Sequence, residues 1–244
     1  MWQYILGYIN ITNTILLLNK LKMKLIILCF GMAISFVNTM AQTDREQLSL
    51  AVSNAEAQNQ QKLKEYVWKR KSQVFIESQL KLTTVTEFSY TPEGKLNTKI
   101  IDATTTVKKK PGIRGAAQEN AAESKLDYIE KALALAMSYT FMSKGEMIDF
   151  FSKATITKSA EKIIAIASDV HVSGDKLEIH IDPKSNLYLF KKFESLLGNE
   201  KVAGKLNYEN FQNGTNHIST TTLNLPAQKM DIEAQNQDYT IRIK

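Results

Sequence analysis

The feature that most constrains this chain is the alternation between Leu80 and Tyr90. Leu80, Leu82, Thr84, Thr86, Phe88 and Tyr90 form one set, and Lys81, Thr83, Val85, Glu87 and Ser89 form the other. A repeat of two puts each set on its own face of an extended strand. A strand cannot pair its own backbone N–H and C=O groups, so it needs neighbours. The sequence supplies one on each side. "YVWKRKSQVFI" (66–76) precedes it across "ESQ", and "LNTKIIDATTTV" follows the Pro-x-Gly turn "TPEGK". This stretch reads as an antiparallel meander.

Helix signals flank it. Thr43-Asp44-Arg45-Glu46 fits a capping box. Leu48, Ala51, Ala55 and Leu63 would mark one face of a helix ending near Lys64. After "KKKPGIRG" (Lys108–Gly115), a helix is expected over 117–142. Its inward face is Leu126, Ile129, Leu133, Met137 and Thr140, at i, i+3, i+7, i+11 and i+14. Ser143-Lys144-Gly145-Glu146 is a second capping box, opening a short helix over 145–153 with Met147, Phe150 and Phe151 inward. Strands are then expected at about 153–158, 162–172, 176–182, 187–194, 201–209, 217–225, 229–235 and 238–243, with a tight turn at "SGD" (173–175). Leu177, Ile179 and Ile181 alternate most clearly, against Lys176, Glu178 and His180. The fold class is α+β with antiparallel sheet dominant.

Compartment is the second constraint. "MKLIILCFGMAISFVNTMAQ" (23–42) has a basic start, an apolar run from Leu25 to Val37 and a small-residue cut after Ala41. That is the pattern of a secretory signal, and the run is short for a spanning helix. Residues 1–22 are then an upstream extension or a mis-assigned start. Residues 42–244 are expected to form a single domain, periplasmic or secreted, after cleavage. Cys29 is the only cysteine and would leave with the signal. Removing the three lysines of 1–41 leaves 28 basic against 25 acidic residues. A balance of +3 makes no case for nucleic acid.

With a signal, a leading helix, "YVWKR" opening the sheet, "FSYTPEGKL" at a hairpin and helices between two runs of strands, the chain resembles a family of uncharacterised exported bacterial proteins. Their topology is similar to the LolA-like periplasmic lipoprotein carriers. The resemblance spans roughly 43–244 in element order. It implies a curved, incomplete antiparallel barrel whose concave face is covered by the N-terminal helix and two central helices. It also implies an apolar cavity for acyl chains and an inward arginine bonding the lid, for which Arg70 is the candidate by position.

Searches for catalytic or metal chemistry return fragments. "GNEKVAGKL" (Gly198–Leu206) has five residues between its glycines where a P-loop has four, and Leu206 stands where a magnesium ligand belongs. Ser78–Lys81 and Ser159–Lys162 both match S-x-x-K, without the companion motifs of a penicillin-binding site. Asp169 with His171, and His180 with Asp182, share strand faces and could hold a base and its orienter, or simply face solvent. No cofactor, metal or catalytic residue is expected, and the chain is not read as an enzyme.

Trp68, Phe88, Tyr90, Phe150 and Phe151 are the candidate cavity-lining residues, with a filled core as the other reading. Lys108, Lys109, Lys110 and Arg114 are the candidate contacts to an anion or lipid headgroup, or else a solvated loop. Two functions stay open. One is a monomeric periplasmic carrier for a lipid or a lipoprotein acyl chain, gated by the helices at 117–142 and 145–153. The other is a structural or interaction module that binds an envelope protein and has a filled core.

Overall fold

The computed structural model divides into compact units at residues 1–47 and 48–244. It describes residues 44–91, 95–106, 113–211 and 213–242, with the side chains of 113–124 also outside the description. The proposed signal and the lysines 108–110 therefore lie outside the described residues.

Helix α1 covers 44–63. Strands β1 (Tyr66–Ile76), β2 (Gln79–Tyr90) and β3 (Leu96–Thr105) follow, then helices α2 (Ile113–Thr140) and α3 (Lys144–Lys153). Seven strands complete the chain: β4 (Thr155–Lys158), β5 (Ile163–Ser168), β6 (Lys176–Ile181), β7 (Tyr188–Leu197), β8 (Glu200–Asn210), β9 (Asn216–Leu225) and β10 (Met230–Ile241). They form one ten-stranded antiparallel sheet in the order β3-β2-β1-β10-β9-β8-β7-β6-β5-β4. The sheet is curved and not closed, and the fold is α+β. Among the described residues, no helix is long and apolar enough to cross a membrane.

Local chemistry explains the turns. Glu77 and Ser78 both take left-handed φ, +52° and +62°, the requirement of a two-residue hairpin whose twist matches its strands. Gly198 does the same at +63° between β7 and β8, so the glycine-rich near-miss to a P-loop is an ordinary hairpin. Seven residues join β5 to β6. The expected tight turn exists inside that loop, where Asp175 N donates to Val172 O at 3.0 Å, but strand pairing stops at Ser168.

The main core lies between α2, α3 and strands β5 to β9. Leu177, Ile179 and Ile181 of β6 are fully buried while Glu178 and His180 are only partly so, as their alternation requires. Met147, Phe150 and Phe151 of α3 join them, and the Ser143/Glu146 capping box is formed. Each such apolar side chain contributes about 1.5–3 kcal/mol by leaving water.

Two expectations need correction. The residues read as two C-terminal strands are one, β10. The interruption is a bulge where pairing with β1 slips between Val67 and Lys69 and Asp238 adopts φ +54°. The face of α2 is also turned. Ala132 and Tyr139 are buried, with Tyr128, Ile129, Leu135 and Ala136 packed beside them, whereas Leu126, Leu133 and Met137 are exposed. This helix is apolar around most of its circumference, and the Tyr139 hydroxyl decides which side docks. It reaches Asp175 at 2.5 Å and Ser195 at 2.8 Å.

Candidate functional site

Pairing across the sheet gathers an aromatic wall on the face that α1 covers. Trp68 is opposite Phe88 in the β1–β2 register. Its ring lies nearly parallel to Phe88 at 5.6 Å and to Tyr239 at 5.8 Å, with Tyr90 tilted at 5.9 Å. Tyr66, Phe211 and His217 extend the stack, with Phe211 4.9 Å from Tyr66 and 4.2 Å from His217. Such pairs contribute about 0.5–1.5 kcal/mol each beyond their burial.

Under this wall sits a cavity of about 60 Å³. Glu56, Asn59, Gln60 and Leu63 of α1 form its roof, Trp68, Arg70 and Tyr90 part of its floor, and Thr140 and Phe141 its rim at the end of α2. Pockets that enclose small-molecule ligands usually run about 300–1,000 Å³. The cavity therefore fits a small group and not an alkyl chain.

Three of its polar atoms are unpaired. Trp68 Nε1, Glu56 Oε2 and Asn216 Oδ1 are buried with no partner. Arg70 donates from Nε to Asn236 Oδ1 at 2.8 Å, and its guanidinium lies 4.9 Å above the Phe88 ring. It makes no salt bridge among the described residues. Burial pulls its pKa down, with only the Tyr239 hydroxyl pushing back. So Arg70 bonds a neighbouring strand, where the resemblance implied a bond to the lid. Burial likewise lowers the pKa of His217, which lines the same space.

Beside the cavity, Lys191 is fully buried on β7. Its Nζ donates to the Thr140 carbonyl at 2.9 Å, capping the C-terminal end of α2, and lies 3.8 Å over the Tyr188 ring. Burial lowers its pKa to about 8, with the Glu56 carboxylate opposing.

A second buried polar group is structural. Asp175 accepts the Tyr139 hydroxyl and the N–H groups of Val170, His171 and Val172. Burial pushes its carboxyl up, but these four bonds together hold it below the usual range. Tyr139, Asp175 and Ser195 are all buried. The other carboxylate–histidine pairs separate. Asp169 accepts Gly174 N–H, His180 meets Glu178 at 2.6 Å, and Asp182 accepts from Lys184 N and Ser185 Oγ in the following turn. No group of three metal-ligating side chains occurs among the described residues.

Of the residues singled out from sequence, Trp68 and Tyr90 line the cavity and Phe88 backs it. Phe150 and Phe151 lie instead in the α3 core at 1% and 0% exposure. Arg114 falls within α2, its side chain outside the description. Period-two reading does place Trp68 and Arg70 on one face. Nothing local announces Tyr239, His217 or Asn216, which arrive because β10 pairs with β1 and β9 with β10.

No family model matches this chain, and no curated protein matches it. Among solved structures, a DUF1329 family protein from Desulfovibrio piger is similar over 82% of this chain and 93% of that chain. The two are 8% identical, with a TM-score of 0.38.

Proposed function

We propose that this protein is an exported, non-catalytic binding module that carries an apolar ligand on the aromatic wall around Trp68, with α1 as its lid. The observation that carries the reading is a cavity lined by three unpartnered buried polar atoms: Trp68 Nε1, Glu56 Oε2 and Asn216 Oδ1. Buried polar groups in a finished core are almost always paired. A site that opens to receive a ligand has a reason to leave them free.

The underside of α1 supports its role as the lid. Ser49 Oγ and Ser53 Oγ join Glu56 Oε2 as buried atoms without partners, so the contact face of α1 mixes these polar groups with Leu48 and Val52, whereas that of α3 is Met147, Phe150 and Phe151. Lifting α1 would enlarge the cavity toward β2 and β3. There Tyr90 pairs with Leu96 and Thr86 with Ile100, and Leu96 and Ile100 are 45% and 68% exposed. An alkyl chain would find apolar surface along that path.

A second reading, docking of another envelope protein, draws on a different feature. Leu126, Leu133, Met137 and Phe141 are exposed and spaced along one side of α2 and its end. Native mass spectrometry of the gently purified protein separates the two. Discrete, solvent-extractable mass additions support the carrier. A ligand-free mass, together with capture of a partner lost in Leu133→Ser/Met137→Ser, supports docking.

A further inference from the structure

Resting on the carrier reading, we infer that the ligand is a single-chain amphiphile with a small acidic headgroup, held by the Arg70 guanidinium and the Trp68 Nε1–H. The charges around the cavity lead there. Arg70 and Lys191 are the cations and Glu56 the nearby carboxylate. Glu56 acts electrostatically on Lys191, while no carboxylate is paired with Arg70 among the described residues. One positive charge is therefore left over inside a largely apolar site, and a buried charge without a counter-ion is costly. The guanidinium is also fixed in place, by the Asn236 bond on one side and the Phe88 ring beneath it. Its Nη donors make no hydrogen bond to a described residue and remain for a ligand.

Size and direction agree with a short head and a long tail. A cavity of about 60 Å³ holds a carboxylate-sized group. Arg70, Thr86 and Ile100 are consecutive register partners across β1, β2 and β3, and so are Trp68, Phe88 and Thr98. Directly paired residues share a face. A tail leaving the Arg70 headgroup site therefore runs over Phe88 toward the exposed Ile100 and Leu96.

The test compares calorimetric titration of the full chain with dodecanoate and with 1-dodecanol, which share a tail. The expected result is dodecanoate binding about tenfold or more tighter, as a charge-assisted bond gives. Arg70→Met should abolish the difference without weakening dodecanol. Should Arg70→Met fail to fold, Trp68→Phe, which removes the indole donor and keeps an aromatic ring, and Arg70→Lys should each narrow the gap. Dodecyl phosphate tells a phosphate head from a carboxylate, and a preference for either over the alcohol supports the acidic class. Equal affinity for acid and alcohol, unmoved by the variants, would overturn the headgroup assignment and leave the apolar site standing. Binding of neither would remove both.

Discussion

Asn59 and Asn216 are joined at two points: Asn59 Nδ2 donates to the Asn216 carbonyl at 2.8 Å, and Asn216 N–H donates to Asn59 Oδ1 at 2.7 Å. One amide side chain thus satisfies both backbone groups of a residue at the start of β9, and both residues are buried. On an α1 underside that also carries orphaned hydroxyls, this clamp is a two-bond polar tie between α1 and β9. Asn59→Ala should cost roughly 2 kcal/mol, because it strands a buried N–H and a buried C=O. The urea midpoint should fall with the slope unchanged, and amides of α1 should exchange faster. An unchanged midpoint would contradict the clamp.

Asp175 should govern part of the acid limb of stability. Its folded-state pKa is held below the usual value, so the native carboxyl resists protonation while the unfolded one takes a proton. Stability from this group is present above the unfolded pKa near 4 and is lost as pH falls through the lower folded value. In Asp175→Asn, an amide NH2 faces backbone donors. That variant should lose roughly 2–4 kcal/mol at neutral pH and show a flatter stability profile below pH 4.

Lys191 should act at the alkaline end, with the opposite slope. Its folded pKa lies at about 8 against an ordinary 10.5. Between those values the unfolded state binds the proton and the native state does not, so stability rises with pH. That rise should be missing in Lys191→Met. Burial raises the pKa of Tyr188 and Tyr208 well above 10, so both proteins should lose stability as unfolded tyrosines ionise above that pH. The contrast between the two proteins from pH 8 to 10 isolates Lys191, and parallel profiles there would contradict its burial as a cation.

Gly204 has a packing reason to be glycine. It is the register partner of Phe193, and a Cβ at this position would run into the Phe193 ring. That ring stacks on Tyr139 at 4.4 Å and 7°. Gly204→Ala should cost about 1–3 kcal/mol by overpacking and perturb the near-ultraviolet circular dichroism of the Tyr139–Phe193 pair. A neutral substitution would show that the ring can move freely.

The parts of this molecule legible from sequence are those in which local pattern and tertiary need agree. The alternation at Leu177–Ile181 survives because β6 has one fully buried face, and the Ser143–Glu146 box is complete within four residues. Strand β2 forms where its alternation places a strand, but Lys81 to Tyr90 are all part-buried, so neither face is finished core. Helix α2 misled because apolar residues encircle most of it, so its periodicity supports more than one buried side. The face read on α1 from Leu48, Ala51, Ala55 and Leu63 is right in part: Leu48 is buried and Leu63 lines the cavity, but Ser49, Val52 and Asn59 are buried as well. Polar residues such as Ser49 and Asn59 give no apolar signal to find them by. The site itself was half visible. Trp68, Phe88, Tyr90 and Arg70 come from one meander, while Tyr239 and His217 reach them only through the pairing of the last strands, which no local signal encodes.

The central claim, that the wall around Trp68 is a ligand site and not finished core, is tested most directly through Trp68 itself. The chain holds two tryptophans, Trp2 and Trp68, so a Trp2→Phe background leaves one reporter. Titrating 1-dodecanol below its solubility limit should change Trp68 emission saturably, with one molecule bound per chain, and Ile100→Glu on the tail path should weaken that response. Emission that stays constant throughout the titration would contradict the account.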